Sequence, residues 1–283
     1  MSFSLHKNIR EQELNARYTE YGNVLDPKSF FMQWGKRVET QSLYPPSIWT
    51  LTFMEGINNV QLPKSSKPSI MEIGVGTGLA TAFMAEKWRD AEIFCIDIDE
   101  RAIELSKRNI GAISGKEALE RCHFFVSDVL LPIKIRKNTD AIDAIFGNLP
   151  FKETNLSIDE LLEGNAISNG YSVHHYKRWL NELISDPNLN IEKTKQYYQI
   201  INQNRKKPRL LLHRILFSEA RDVLASGGSL VVTCSDSNKP QMEQLLHEYG
   251  FHTEVSAINY EHEDEEGIKT HRSNIIYAIS ASL

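Results

Sequence analysis

At 283 residues the chain can bury a substantial core, as one large domain or as a domain with a smaller appendage. Hydrophobic residues make up 41% and charged residues 24%, as in a soluble globular protein, and no apolar run approaches the roughly 18–20 residues that span a bilayer. A net charge of −5 and a pI near 6.0 give no global attraction to a phosphate backbone, although they leave room for a local basic patch.

The first residues, Met1 to Asn8, turn polar at once and lack the apolar centre of a secretory signal. Ile9, Leu14 and Tyr18 sit at loosely helical spacing, which predicts a short helix or a frayed arm over residues 1–25. Residues 26–50 are crowded with aromatics and prolines, and residues 47–60 read as a helix. Pro63 to Pro68 reads as a surface loop. Strand and helix then alternate: strand Ser69–Ile73, helix Ala80–Trp88, strand Glu92–Ile98, helix Glu100–Ile110, and strands His123–Ser127 and Ala141–Gly147. A polar, mostly helical stretch leads to a helix over Ile215–Leu224. Gly227-Gly228 opens strand Ser229–Cys234, and a helix over Gln241–Tyr249 follows. Strands near Thr253–Ile258 and Asn274–Ser280 close the chain as an antiparallel hairpin, with the acidic run Glu261–Glu266 as its exposed loop. The right-handed crossover rule makes the first strands parallel. Cys95, Cys122 and Cys234 are odd in number and far apart, and two lie in apolar runs. They read as small buried side chains, and a cytoplasmic, reduced setting is expected.

The chemistry begins where the first strand ends. Glu72-Ile73-Gly74-Val75-Gly76-Thr77-Gly78 lets the backbone turn sharply, lets a ligand approach, and aims the free N–H groups of the next helix at that spot. Leu79 stands where a dinucleotide fingerprint wants its third glycine, which counts against NAD and favours a ligand without phosphates. Asp97, at the end of the second strand and flanked by Ile98, can accept both ribose hydroxyls of a nucleoside. Asp99 is the alternative provider, better placed to cap the following helix. Asp128, with Val129 beside it, follows the third strand at the sheet edge where an adenine amino group would lie.

This arrangement resembles class I S-adenosylmethionine-dependent methyltransferases over about residues 69–282, with Glu72–Gly78 as the first motif, Asp97 as the ribose contact and Asp128 as the adenine contact. The resemblance implies an α/β, doubly wound, Rossmann-like sheet of seven strands, mainly parallel with one antiparallel strand. It also implies S-adenosyl-L-methionine as methyl donor and S-adenosyl-L-homocysteine as product. Residues 1–66 are then an N-terminal extension capping the substrate side. Residues 67–283 are the catalytic domain, with a helical insert at about 152–212.

The fourth strand ends in Gly147-Asn148-Leu149-Pro150-Phe151. An Asn oxygen and a neighbouring backbone carbonyl can accept the N–H groups of an amide or aromatic amine and help localise its lone pair beside a methyl donor. Pro150 would stiffen the turn and Phe151 could lie against a planar acceptor. The segment resembles the Asn/Asp-Pro-Pro-Tyr/Phe motif of amino methyltransferases, with Leu149 in place of the first proline. Its Asn-Leu-Pro-aromatic form is similar to rRNA adenine dimethyltransferases. Trp34–Val38, Leu43-Tyr44-Pro45-Pro46-Ser47 and Ile96–Ala102 through Ser106–Asn109 resemble protein-glutamine N5-methyltransferases. That resemblance implies that Tyr44, Pro46 and Phe151 meet the substrate. The short N-terminal region and the long insert depart from that group.

The insert carries His174–Trp179, Tyr197-Tyr198 and Arg205–Arg209. It reads either as a helical lid over the site or as a surface for single-stranded nucleic acid. His174-His175 lacks neighbours at ligand spacing, so no metal is expected. The reading that results is an N-methyltransferase acting on an amide or amine of a small molecule, peptide or protein, without membrane association. An RNA or DNA adenine N6-methyltransferase is the first alternative, and a cofactor-binding module without catalysis is another.

Overall fold

The computed structural model describes residues 25–41, 43, 45–62, 67–127, 141–149, 211–263 and 269–282. Helix α1, Pro27–Trp34, starts where the Asp26 side chain accepts the Ser29 N–H at 2.8 Å, with proline in its first turn. The sequence assigns no element to this stretch, which is marked only by its aromatics and prolines. Its helicity comes from packing, because Phe30 meets the ring of Phe83 edge-on at 5.4 Å. Helix α2, Ile48–Asn59, opens with a capping box between Ser47 and Thr50.

The βα alternation expected from the sequence follows. Strand β1 is Ser69–Ile73, helix α3 Leu79–Lys87, strand β2 Glu92–Asp97 and helix α4 Glu100–Glu120. Asp99 does cap α4, accepting the Arg101 N–H at 2.9 Å. The helix runs ten residues beyond its expected end, past a break at Gly115 (φ 81°, ψ −178°). Strand β3 is Cys122–Val126 and β4 is Ile142–Gly147. Residues 150–210, which include most of the insert, lie outside the described residues; beyond them come helix α5 (Leu211–Val223), strand β5 (Leu224–Ser235), helix α6 (Lys239–Glu248), and strands β6 (His252–Glu263) and β7 (Lys269–Ser282).

Two further departures from expectation concern β5 and β6. Gly227-Gly228 lies inside β5 rather than before it: a Cβ at Gly228 would stand 2.9 Å from the Ala225 oxygen, so glycine lets the strand fold closely on itself. Strand β6 reaches Glu263, so part of the acidic run expected as a loop is ladder, with Glu263 opposite Lys269.

The sheet order is β3-β2-β1-β4-β5-β7-β6, parallel throughout except for β7, which runs antiparallel to both neighbours. The central strands are apolar on both faces because helices cover both. Ile70, Cys95, Ala144 and Phe146 point into a core shared with α1 to α4, while Met71, Ile73, Ile145 and Val232 point into one shared with α5 and α6. Phe53 of α2 meets Phe146 of β4 edge-on, so the N-terminal extension and the sheet share one core. All three cysteines are buried and free, as the sequence suggested. Among the described residues no helix is long and apolar enough to cross a membrane, and no group of His, Cys, Asp or Glu could hold a metal ion.

Candidate functional site

Strands β1, β2 and β3 step outward to one side, and the chain then crosses β1 to lay β4 on the other. This reversal opens a crevice at the carboxyl ends of β1 and β4, the place where open α/β sheets bind ligands. Strand register decides which residues meet there. Ile73 pairs with Ile96 and Gly147, and Gly147 pairs with Val232. The next residues, Asp97, Gly74, Asn148 and Thr233, therefore form one row across four strands. Asp97 and Asn148 stand two strand spacings apart, about 10 Å.

The glycine loop is held from three sides. Gly74 and Val75 donate to the Ile96 carbonyl at 2.8 and 3.2 Å, and Gly76 donates to Asp97 Oδ2 at 2.9 Å. Asp97 Oδ1 accepts the Asp99 N–H at 2.9 Å. Burial raises the Asp97 carboxyl above its ordinary range, against the pull of the Asp99 and Gly76 N–H groups, and the nearby Asp99 charge adds to the rise. Asp97 thus ties the loop to β2.

Gly76 and Gly78 have different tasks. Gly76 has φ 50°, and a Cβ there would find nothing nearer than the Gly74 oxygen at 4.0 Å, so the space above it is open to a ligand. Gly78 has φ 78°, and a Cβ there would stand 2.8 Å from the Ser106 Cβ. It serves close packing of the loop on α4, not ligand approach. One turn along α4, buried Asn109 donates to the Thr77 carbonyl at 2.8 Å. The same side chain accepts the Glu39 N–H at 3.0 Å and donates to the Glu39 carbonyl at 2.9 Å. It therefore pins the N-terminal extension to the glycine loop.

Glu72 lies within β1, 2% exposed, with its carboxyl accepting the Thr81 hydroxyl. Burial pushes its pKa up to about 8, opposed by the Thr81 bond and helped by the charge of Asp97. Its side chain is turned into the core under the loop. Leu149 is also buried, packed in the α5–α6 core and 3.5 Å from where a Gly74 Cβ would be. Its side chain fastens the start of the Asn148 segment to the glycine loop, which leaves its carbonyl as the group able to face an acceptor. Asn148 is half-buried, and its Oδ1 accepts the Thr233 hydroxyl at 2.5 Å. Ile98 and Pro46 are half-buried at the Asp97 turn and before α2. Tyr44, Asp128, Val129, Pro150 and Phe151 lie outside the described residues.

Two contributors escaped the sequence reading. Thr233 is the lone hydroxyl in the run Leu230–Cys234, a signal that was available, but pairing it with Asn148 required the β4–β5 register. Asn109 lies within the helix expected over Glu100–Ile110, where nothing local marks it as a contact. Its reach to residue 39 is a tertiary fact.

Residues 58–167 match the model of the methyltransferase small domain. Over this segment the chain is similar to methyltransferases. Part of it is similar to methionine S-methyltransferase of Zea mays, 30% identical over 142 residues that make up 45% of this chain and 13% of that protein. The chain thus spans only a small part of that relative. A ribosomal RNA small subunit methyltransferase A of Streptococcus equi subsp. zooepidemicus is 22% identical over 210 residues, 73% of this chain and 67% of the relative. Among solved structures, precorrin-6y C5,15-methyltransferase from Geobacter metallireducens superposes with a TM-score of 0.48 and 10% identity, covering 82% of this chain and 87% of that one. The matched segment contains the glycine loop, Asp97, Asn148 and Leu149, whereas Thr233 lies beyond it.

Proposed function

We propose that the chain is an N-methyltransferase that transfers a methyl group to an amide or amine nitrogen of a small molecule, peptide or protein. The observation that carries this reading is the row Asp97–Gly74–Asn148, set by strand register at the crevice. The residues present fit S-adenosylmethionine. The space over Gly76 is open, Asp97 lies to one side to receive ribose hydroxyls, and Asn148 lies to the other. The cofactor supplies an electrophilic methyl on a sulfonium. Asp128 is read as the adenine contact, with Ile98 and Val129 lining the same side.

The chain's own work is binding and aim. Asp97 accepts the ribose hydroxyls while its backbone bonds hold the loop in shape. The remaining lone pair of Asn148 Oδ1 and the Leu149 carbonyl accept N–H bonds from the acceptor. This draws the nitrogen's lone pair out of conjugation and directs it along the methyl–sulfur axis. Phe151 is read from the motif as the contact to the planar group, and Tyr44 and Pro46 as substrate contacts from the extension. The sheet is read as the seven-stranded arrangement of class I methyltransferases, with β7 as its single reversed strand.

A second reading, an RNA adenine methyltransferase, is favoured by the ribosomal RNA methyltransferase relative, which aligns over most of the chain. The net charge of −5 weighs against it. The methionine S-methyltransferase relatives make free methionine an acceptor worth testing, although a thioether has no N–H for Asn148 to accept.

The test separates binding from transfer. Asp97→Ala should weaken S-adenosylhomocysteine binding about 10- to 100-fold in calorimetry, the loss of hydrogen bonds to a charged group. Asn148→Ala should leave that affinity within about threefold and lower methyl transfer by tenfold or more. Transfer is read with methyl-labelled S-adenosylmethionine offered to separated protein, RNA and small-molecule fractions of a cell extract, and to methionine. Label entering only methionine, or equal loss of binding in both variants, would refute the nitrogen reading.

A further inference from the structure

We propose that Thr233 is a positioning residue for methyl transfer, which sets the orientation of the Asn148 amide. The inference rests on Asn148 being the group that grips the acceptor. Thr233 sits one residue past the Gly147–Val232 pair, beside Asn148, in a strand paired with β4 on one side and with β7 on the other, where it faces Ala278. It is 0% exposed, between Val232 and Cys234, which are equally buried. A β-branched side chain on a strand bonded along both edges has little rotamer freedom. The Thr233 hydroxyl is therefore a fixed post.

Asn148 is the opposite case. It follows the last residue of β4, and the terminal torsion of an Asn amide is broad, with two orientations that exchange oxygen and nitrogen. The hydroxyl resolves that choice by donating to Oδ1 at 2.5 Å. A buried hydroxyl proton without an acceptor is costly, and an amide turned the other way would offer it only N–H donors, so the bond to Oδ1 holds the amide oxygen toward β5. One lone pair of Oδ1 and both Nδ2 hydrogens then remain for the acceptor side. Accepting the hydroxyl proton also polarises the amide and makes its N–H groups stronger donors. The acceptor nitrogen thus meets an amide of fixed sense that takes one N–H through its oxygen.

The experiment compares Thr233→Val, Thr233→Ser, Asn148→Ala and the Thr233→Val/Asn148→Ala double variant, with folding checked by circular dichroism. Methyl transfer from labelled S-adenosylmethionine is measured into the extract fraction labelled by the wild type. S-adenosylhomocysteine affinity is measured by calorimetry. Thr233→Val should lower kcat by about 10- to 100-fold, the range expected for a misplaced reacting group, with affinity for the product unchanged. Thr233→Ser should restore most of the rate, and the double variant should be no slower than Asn148→Ala alone. Side-chain amide NMR gives a readout that needs no acceptor. The Asn148 amide pair should shift or broaden in Thr233→Val and keep its position in Thr233→Ser. An unmoved amide pair, or a wild-type rate in Thr233→Val beside a slow Asn148→Ala, overturns the proposal and leaves the proposed function standing. A loss of product binding in Thr233→Val also overturns it, because the role would then be structural. A wild-type rate in Asn148→Ala removes the reading on which it rests, and the proposal falls with it.

Discussion

Asp97, Asn148 and Glu72 all stand next to the glycine loop, but each meets it differently. Asp97 faces two backbone N–H groups and has acceptor capacity left for a ligand. Asn148 stands past the end of its strand and borrows its orientation from Thr233. Glu72 is sealed beneath the loop, and this has a consequence for stability. Its pKa lies at about 8 in the folded chain against an ordinary 4.5. Between those two values the folded state keeps a proton that the unfolded state has lost, so stability falls as pH rises from 4.5 to 8. Glu72→Gln removes that titration and retains an oxygen for the Thr81 hydroxyl. Its melting temperature should match the wild type below pH 4.5 and exceed it at pH 8. Parallel melting curves for the two proteins across that range would show that the burial of Glu72 carries no such penalty.

At the scale of elements, the loop between β1 and α3 depends on α4 as much as on its own glycines. Gly78 is packed so closely on Ser106 that a methyl group there meets both a left-handed backbone and an occupied space. The first costs about 1–2 kcal/mol and the second about 1–3 kcal/mol. Gly76→Ala meets only the first. Gly78→Ala should therefore be the more destabilising of the two in denaturant melts, and Gly76→Ala the more selective for cofactor affinity, since its methyl enters the open ligand space. Equal midpoints for both variants would mean that the loop moves away from α4 without cost. The glycine pattern was legible in the sequence, but the division of labour within it was not, because Ser106 lies far along the chain. The same holds for α1. Eight residues rich in aromatics carry too weak a pattern to announce a helix, and Phe83 supplies the missing term.

For the whole molecule, the reversed strand β7 holds the far half of the sheet. It separates β5 from β6 and pairs with β5 from Ser229 to Ser235, directly behind Thr233. Ile279 and Phe251 bury into the α5–α6 core. A chain ended at Gly250 loses Phe251 and both strands and leaves β5 as a bare apolar edge. Such a chain should show no cooperative thermal transition by circular dichroism, although the segment matching the methyltransferase small domain is intact. A sharp melt in the shortened protein would show that β1 to β5 with their helices suffice.

The sequence alone determined the βα alternation, the position of the glycine loop at the end of β1, the acidic residue ending β2 and the Asn148 segment after β4. Each of these is written in consecutive residues, through hydrophobic period, glycine spacing and the end of an apolar run. Only the tertiary structure decided that Asp97, Gly74, Asn148 and Thr233 share one row, that Asn109 joins residue 39 to the loop, and that Glu72 and Leu149 turn inward. Those facts depend on strand order and register, which are set by how two apolar faces are buried at once, and no local pattern encodes which distant residues that burial brings side by side.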